Sequence, residues 1–135
     1  MDRPNTPGFS LLELLITLAI VAILATITVP SYTGLVAKSR RGDAMAALAL
    51  VQLAQERWRA ANPAYNQDLG ELGWVTAESP DGYYALHIIA ADATDFLAVA
   101  QPTGVQQSDR CGSYALDPNG PVYSGGYAGV ECWKR

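Results

Sequence analysis

The chain has 135 residues, thirteen acidic and nine basic side chains and a formal charge of −4; half of its residues are apolar and only 16% are charged. Soluble globular domains usually carry about 25% charged residues, and here the apolar excess is concentrated in one run, Phe9 to Val29, 21 residues with Glu13 as the single charge. That run excludes an ordinary cytosolic domain, and what remains is too short for a multidomain enzyme.

At about 1.5 Å per helical residue the run reaches roughly 31 Å, enough to cross a hydrocarbon core of about 30 Å. A cleaved secretory signal is the competing reading. Its apolar region would be about 7–15 residues and would end near an A-x-A-like site. This run is longer, and Ala19, Ala22 and Ala25 are spaced by three, so a retained span fits better. Lys38, Arg40 and Arg41 follow the span, whereas Asp2 and Arg3 are the charged side chains before it. Charge bias alone would therefore place the C-terminal part in the cytoplasm. Glu13 is costly at mid-bilayer. Either it lies near the helix start, where the dipole favours an anion, or it pairs with a cation.

From Ser31 to Ala61 the pattern turns amphipathic. Met45, Leu48, Val51 and Gln55 form one row and Ala47, Leu50, Ala54 and Trp58 another beside it, with Arg40, Arg41, Asp43, Gln52, Glu56 and Arg59 on the polar side. Pro30 and Gly34 are expected to bend the junction without ending the helix, and Asn62-Pro63 to stop it. Residues 64–82 read as a loop with one short helical turn near Gln67–Leu72. Tyr83–Ile89 and Phe96–Ala100 read as strands joined by a hairpin over Ala91–Asp95, Ser113–Leu116 as a third strand closed by the turn Asp117–Gly120, and Val122–Tyr123 as a short fourth. The class is α+β: a long N-terminal helix packed on a small three- to four-stranded antiparallel sheet.

Cys111 and Cys132 are either bridged in an oxidising compartment, where the link is worth roughly 3 kcal/mol in the chain-entropy model, or unpaired buried thiols in the cytosol. Little points to catalysis. His87 is the only histidine, and no nucleophile elbow accompanies it. One histidine and two distant cysteines do not make a zinc site, and Asp92 and Asp95 lack EF-hand spacing. Ser124-Gly125-Gly126-Tyr127 lacks the lysine of a phosphate-binding loop. No metal or cofactor is expected. From Pro63 onward three basic residues, Arg110, Lys134 and Arg135, face nine acidic ones, which disfavours nucleic acid as a partner. A bridge between the cysteines would bring those three into one small basic spot, the weak candidate for an anion or DNA contact.

Gly8-Phe9-Ser10-Leu11-Leu12-Glu13-Leu14-Leu15 resembles the processing motif of type IV pilins, and Pro30-Ser31-Tyr32 the proline segment after that family's apolar helix. Ser39–Ala44, Tyr65–Leu72, Gly82-Tyr83-Tyr84, Cys111-Gly112-Ser113 and Cys132-Trp133 are similar to PilE-like minor pilins. The resemblance implies that residues 1–8 are a cytoplasmic leader cut off after Gly8 by a prepilin peptidase. It further implies N-methylation of Phe9, a transmembrane and assembly helix over 9–30, and a periplasmic head over 31–135. Glu13 would then neutralise the Phe9 amine of a neighbouring subunit in a helical filament. It also implies the Cys111–Cys132 disulfide and so an outward-facing head, against the charge bias. The partners implied are other pilin subunits, the peptidase and methyltransferase, and the inner-membrane assembly machinery. The function implied is a structural subunit, a minor one, supporting pilus assembly, twitching motility or adhesion. The alternatives are a type II secretion pseudopilin or a pilus-displayed DNA receptor; a membrane-anchored enzyme is the weakest. Ala22 stands where many pilins carry a helix-loosening glycine, which leaves Pro30 as the main helix breaker.

Overall fold

The computed structural model describes residues 8–134; residues 1–7 of the expected leader 1–8, and Arg135, lie outside them. Helix α1 runs Leu11–Arg59, followed by strands β1 (Tyr84–Ala91), β2 (Phe96–Pro102), β3 (Tyr114–Asp117) and β4 (Gly120–Val122). The chain divides into two compact units, the first ending at Val36 and the second beginning at Ala37.

In the first unit the apolar part of α1 has a mean hydropathy of 2.5 in its most apolar stretch, none of which is buried. Its hydroxyls turn back on the helix: Thr17 donates to the carbonyls of Glu13 and Leu14, Thr26 to Ile23 and Thr28 to Leu24. Polar groups satisfied within the segment are what a lipid surrounding demands. Pro30 sits inside α1 without ending it. Its missing N–H leaves the carbonyl four residues back without the usual donor, and the Thr33 hydroxyl bonds the Pro30 carbonyl at 3.0 Å.

In the second unit α1 lays Ala44, Ala47, Leu48 and Val51 against Tyr84, Leu86, Ile88, Phe96, Ala98, Ala100, Tyr114 and Leu116 of the sheet. Alanines lie on both sides of this core. Three residues depart from the expected pattern. Leu50 is 48% exposed, because the buried arc is centred on the Ala44–Ala47–Val51 line and Leu50 falls to its side. Arg41 and Asp43, expected on the polar face, are buried, since each finds a specific partner from a distant segment. Gln55, in the expected row, is fully buried and pairs with the Asn66 backbone through both amide atoms, at 2.6 and 2.9 Å.

The sheet is antiparallel in the order β1-β2-β3-β4. β1 begins one residue later than expected and runs on to Ala91, with a bulge between Ile88 and Ala90 that shifts the in–out alternation there. Residues 64–82 contain a turn in which Leu72 N–H bonds the Asp68 carbonyl at 3.3 Å, at the expected place. The fourth strand forms at Gly120–Val122 rather than Val122–Tyr123: Gly120 has φ +123°, so the turn closes on it and pairing starts at once. Two 3-10 turns, Gly104–Ser108 and Val130–Cys132, had no periodic signature in the sequence.

Candidate functional site

The first candidate region is the start of α1. Gly8, Phe9 and Ser10 precede the helix, and Glu13 lies in its first turn, where partly unpaired backbone N–H groups favour an anion. Phe9 is 81% exposed, and the large apolar side chains from Leu11 to Val29 are all exposed by half or more. A continuous apolar surface of this size needs lipid or other apolar helices to cover it. Among the described residues none covers it: the first unit's most apolar stretch is entirely unburied.

The second region is the disulfide-bounded part of the second unit. Cys111 and Cys132 are bridged, with their Cα atoms 5.8 Å apart. Beside the bridge the Tyr114 hydroxyl donates to the Cys132 carbonyl at 3.1 Å. Tyr84, Tyr114, Trp133 and Tyr123 follow one another edge to face, with centroids 5.9, 5.2 and 6.4 Å apart, a geometry favoured by the ring quadrupoles. Burial pushes the Tyr84 hydroxyl up to about 12 and raises that of Tyr114 as well. The bridge draws together the segments that carry Arg110 and Lys134, both exposed; Arg135, the third member of the expected basic spot, is outside the described residues.

A polar clasp that sequence reasoning missed joins α1 to the segment before Cys111. Arg41 Nε and Nη2 donate to the two carboxylate oxygens of Asp109, each at 2.7 Å, and the hydrogen bond to Asp109 raises the guanidinium further above its ordinary value. The fully buried Gln106 places its amide nitrogen 3.1 Å from the Ala37 carbonyl, the Tyr84 hydroxyl and Asp109 Oδ2. Asp43, on the next turn of α1, accepts from the Ser79 hydroxyl and from the backbone of Asp81 and Tyr83. The only sequence signal for these partners was a charged cluster at 40–43, which by itself reads as a solvated face.

His87 is exposed on β1 and lines an open cleft of about 470 Å³ with Gln67, Asp68, Leu69, Ala77, Leu86 and Ile88. Asp68 Oδ1 accepts from the Gly70 N–H at 2.7 Å. Asp92 and Asp95 build the β1–β2 turn. Asp92 Oδ1 accepts from the Thr94 N–H and hydroxyl and from the Asp95 N–H, bonds that hold its carboxyl below the usual range. Among the described residues no group of three or more histidine, cysteine and acidic side chains is placed to hold a metal.

Comparison with known proteins addresses both regions. Residues 3–29 match the prokaryotic N-terminal methylation motif, and residues 30–115 match the family described as type IV minor pilin ComP, DNA uptake sequence receptor. The chain is similar to the type IV wide pilus major component PilA4 of Thermus thermophilus, 30% identical over 102 residues, 74% of this chain and 76% of that protein. It is also similar to the type IV major pilin protein PilA of Myxococcus xanthus, 29% identical over 90 residues. That match takes in 67% of this chain but only 41% of the longer Myxococcus protein. Among solved structures, a type IV pilin from Shewanella oneidensis superposes with a TM-score of 0.52 at 31% identity, over 73% of this chain and 99% of that one.

Proposed function

The chain belongs to the type IV pilin family, and from that premise we propose that it is a structural subunit of a type IV pilus, held in the inner membrane by the first part of α1 before assembly and in the filament afterwards. One observation carries this reading. The apolar surface from Phe9 to Val29 has no cover among the described residues, while the unit beginning at Ala37 has a core of its own and a disulfide. Such a surface suits lipid first and the same segment of neighbouring subunits later. Cleavage after Gly8 would give Phe9 a new amine, four residues from Glu13. In a stack of such helices that ammonium meets the Glu13 carboxylate of an adjacent copy, and pairing relieves the cost of both charges in an apolar surrounding. The register of the stack then follows from where the charges lie. The disulfide supports an oxidising compartment for the second unit.

The test is Glu13→Ala. The variant should insert in the membrane and be processed like wild type, yet be missing from sheared surface pili. Normal incorporation overturns the charge-pairing mechanism, and recovery of the wild-type chain only with a type II secretion apparatus overturns the pilus reading. A second reading, display of a DNA receptor on the pilus, is favoured by the match over 30–115 to a family described in those words. The second unit's acidic balance and the small size of the spot at Arg110 and Lys134 weigh against it. Gel-shift titration with duplex DNA separates the two: salt-sensitive binding that Arg110→Gln weakens supports the receptor, and its absence removes it.

A further inference from the structure

Lys38, Arg40 and Arg41 stand on the side of the span where translocated segments are usually poor in cations. The structure separates their roles. Arg41 is turned inward and neutralised by Asp109. Lys38 is exposed, and Arg40 lies half-buried with its guanidinium 4.7 Å from the centre of the Tyr83 ring. The Arg41–Asp109 pair and the Gln106–Ala37 bond hold the 3-10 turn Gly104–Ser108 against the first residues of the second unit. Thr103 N–H bonds the Tyr83 carbonyl at 2.9 Å, so the same end carries Val105, 66% exposed, and the exposed Arg110.

The charge of this end differs from that of the rest of the unit. Of its carboxylates, Asp109 is spent on Arg41 and Asp43 is buried among three donors, which leaves Asp81 and Glu78 exposed against Lys38, Arg40 and Arg110. Elsewhere among the described residues from Ala37 onward, seven acidic side chains face three basic ones. Phe9 to Val36 is 28 residues carrying one charge, about 42 Å of helix, against about 40–45 Å for a bilayer including its headgroups. Lys38 and Arg40 therefore begin where lipid phosphates lie, and Tyr32, 67% exposed, falls in the interfacial zone that aromatic rings favour.

We infer that this end of the second unit docks on the anionic headgroup surface of the bilayer that holds the span, with Lys38, Arg40 and Arg110 meeting lipid phosphates and Val105 entering the interface. The inference rests on the membrane-anchored state proposed above. It gives the cations after the span a use that charge bias leaves open: they seat the subunit before extraction and are released when it leaves the bilayer.

Hydrogen exchange of the full chain in lipid nanodiscs tests it. In phosphatidylcholine discs containing phosphatidylglycerol, amides 103–110 should exchange several-fold more slowly than in phosphatidylcholine alone. The slowing should vanish when salt is raised from about 0.01 M to about 1 M, where the screening length falls from about 30 Å to about 3 Å. The double variant Lys38→Gln/Arg110→Gln, which leaves Arg40 on Tyr83, should lose most of it at unchanged melting temperature, and Val105→Ser should lose part. Equal exchange in the two discs overturns docking, as does slowing that survives in the double variant. Duplex DNA added to phosphatidylcholine discs and slowing the same amides as strongly would make this a nucleic-acid surface instead. A chain that does not enter discs at all overturns the anchored state itself, and docking with it.

Discussion

Arg41 and Asp109 lie 68 residues apart in the chain and meet in a two-pronged ion pair, both nitrogen–oxygen distances 2.7 Å, with side chains only 11% and 3% exposed. The pair ties α1 to the segment that leads into Cys111. Removing one partner strands a charge in a poorly solvated place, which typically costs about 3–5 kcal/mol, whereas replacing both with apolar residues of similar volume is often close to neutral. Asp109→Ala should therefore destabilise the detergent-solubilised chain by about that amount in urea unfolding, and Arg41→Met/Asp109→Leu by much less. A loss from Asp109→Ala of under about 1 kcal/mol, the value of a solvent-exposed pair, would show that the clasp is not desolvated.

The pattern of legible and illegible features follows from sequence distance. Helix α1, the hairpin at Ala91–Asp95 and the strands were readable because apolar periodicity and turn residues are local signals. The length and emptiness of the apolar run marked the surface that needs outside cover. Arg41, Asp43 and Gln106 were not readable, because each is buried by partners from another part of the chain and its own neighbourhood looks solvated. Leu50 was misplaced for the related reason that a helical stripe specifies an arc but not which edge of it meets the sheet. Two cysteines 21 residues apart do not by spacing specify a bridge; their Cα atoms, 5.8 Å apart in the fold, do.

Asp43 holds three donors of the segment that enters β1: the Ser79 hydroxyl and the N–H groups of Asp81 and Tyr83. The Ser79 hydroxyl in turn accepts from the Tyr84 N–H at 3.0 Å. Hydrogen bonds to a charged group contribute about 1.5–3 kcal/mol, and orphaned buried donors add a penalty. Asp43→Ala should cost about 3 kcal/mol and speed amide exchange from Ser79 to Tyr84, while Asp43→Asn should keep part of both. Unchanged exchange in that segment would count against the assignment.

Gln55 pairs with both backbone groups of Asn66 and is fully buried, so it serves as an imitation of a backbone partner for the loop after α1. Gln55→Leu keeps the bulk but leaves the Asn66 N–H and C=O without partners, at about 1–3 kcal/mol each if they stay buried. The expected result is a lower melting temperature with faster exchange at Asn66. Equal stability of Gln55→Leu and wild type would mean that water replaces the amide.

Removing the Cys111–Cys132 bridge by the double change to serine should lower stability by about 3 kcal/mol on the chain-entropy account. The Tyr114 bond to the Cys132 carbonyl makes the loss local as well, so near-ultraviolet signals of Tyr114 and Trp133 should weaken. Full retention of both stability and those signals would assign the staple to packing alone.

Alkaline pH gives the last prediction. Of the seven tyrosines, Tyr84 is pushed up to about 12 by burial, and Tyr65 and Tyr114 are also raised, each chiefly by desolvation. In the unfolded chain a tyrosine ionises near about 10. A group whose folded value is raised stabilises fully below its unfolded value, and that stabilisation is lost as pH climbs through the folded one. Stability should thus hold up to about pH 10 and fall between about 10 and 12. Tyr84→Phe should flatten that fall, while giving up the hydrogen bond with Gln106 at neutral pH. Tyrosinate absorbance of the folded protein should rise in two phases, with Tyr84 and Tyr114 ionising last and together with unfolding. A single phase near the ordinary value, with every ring titrating before the fold is lost, would show that these hydroxyls reach water and that the aromatic row beside the disulfide is open rather than sealed.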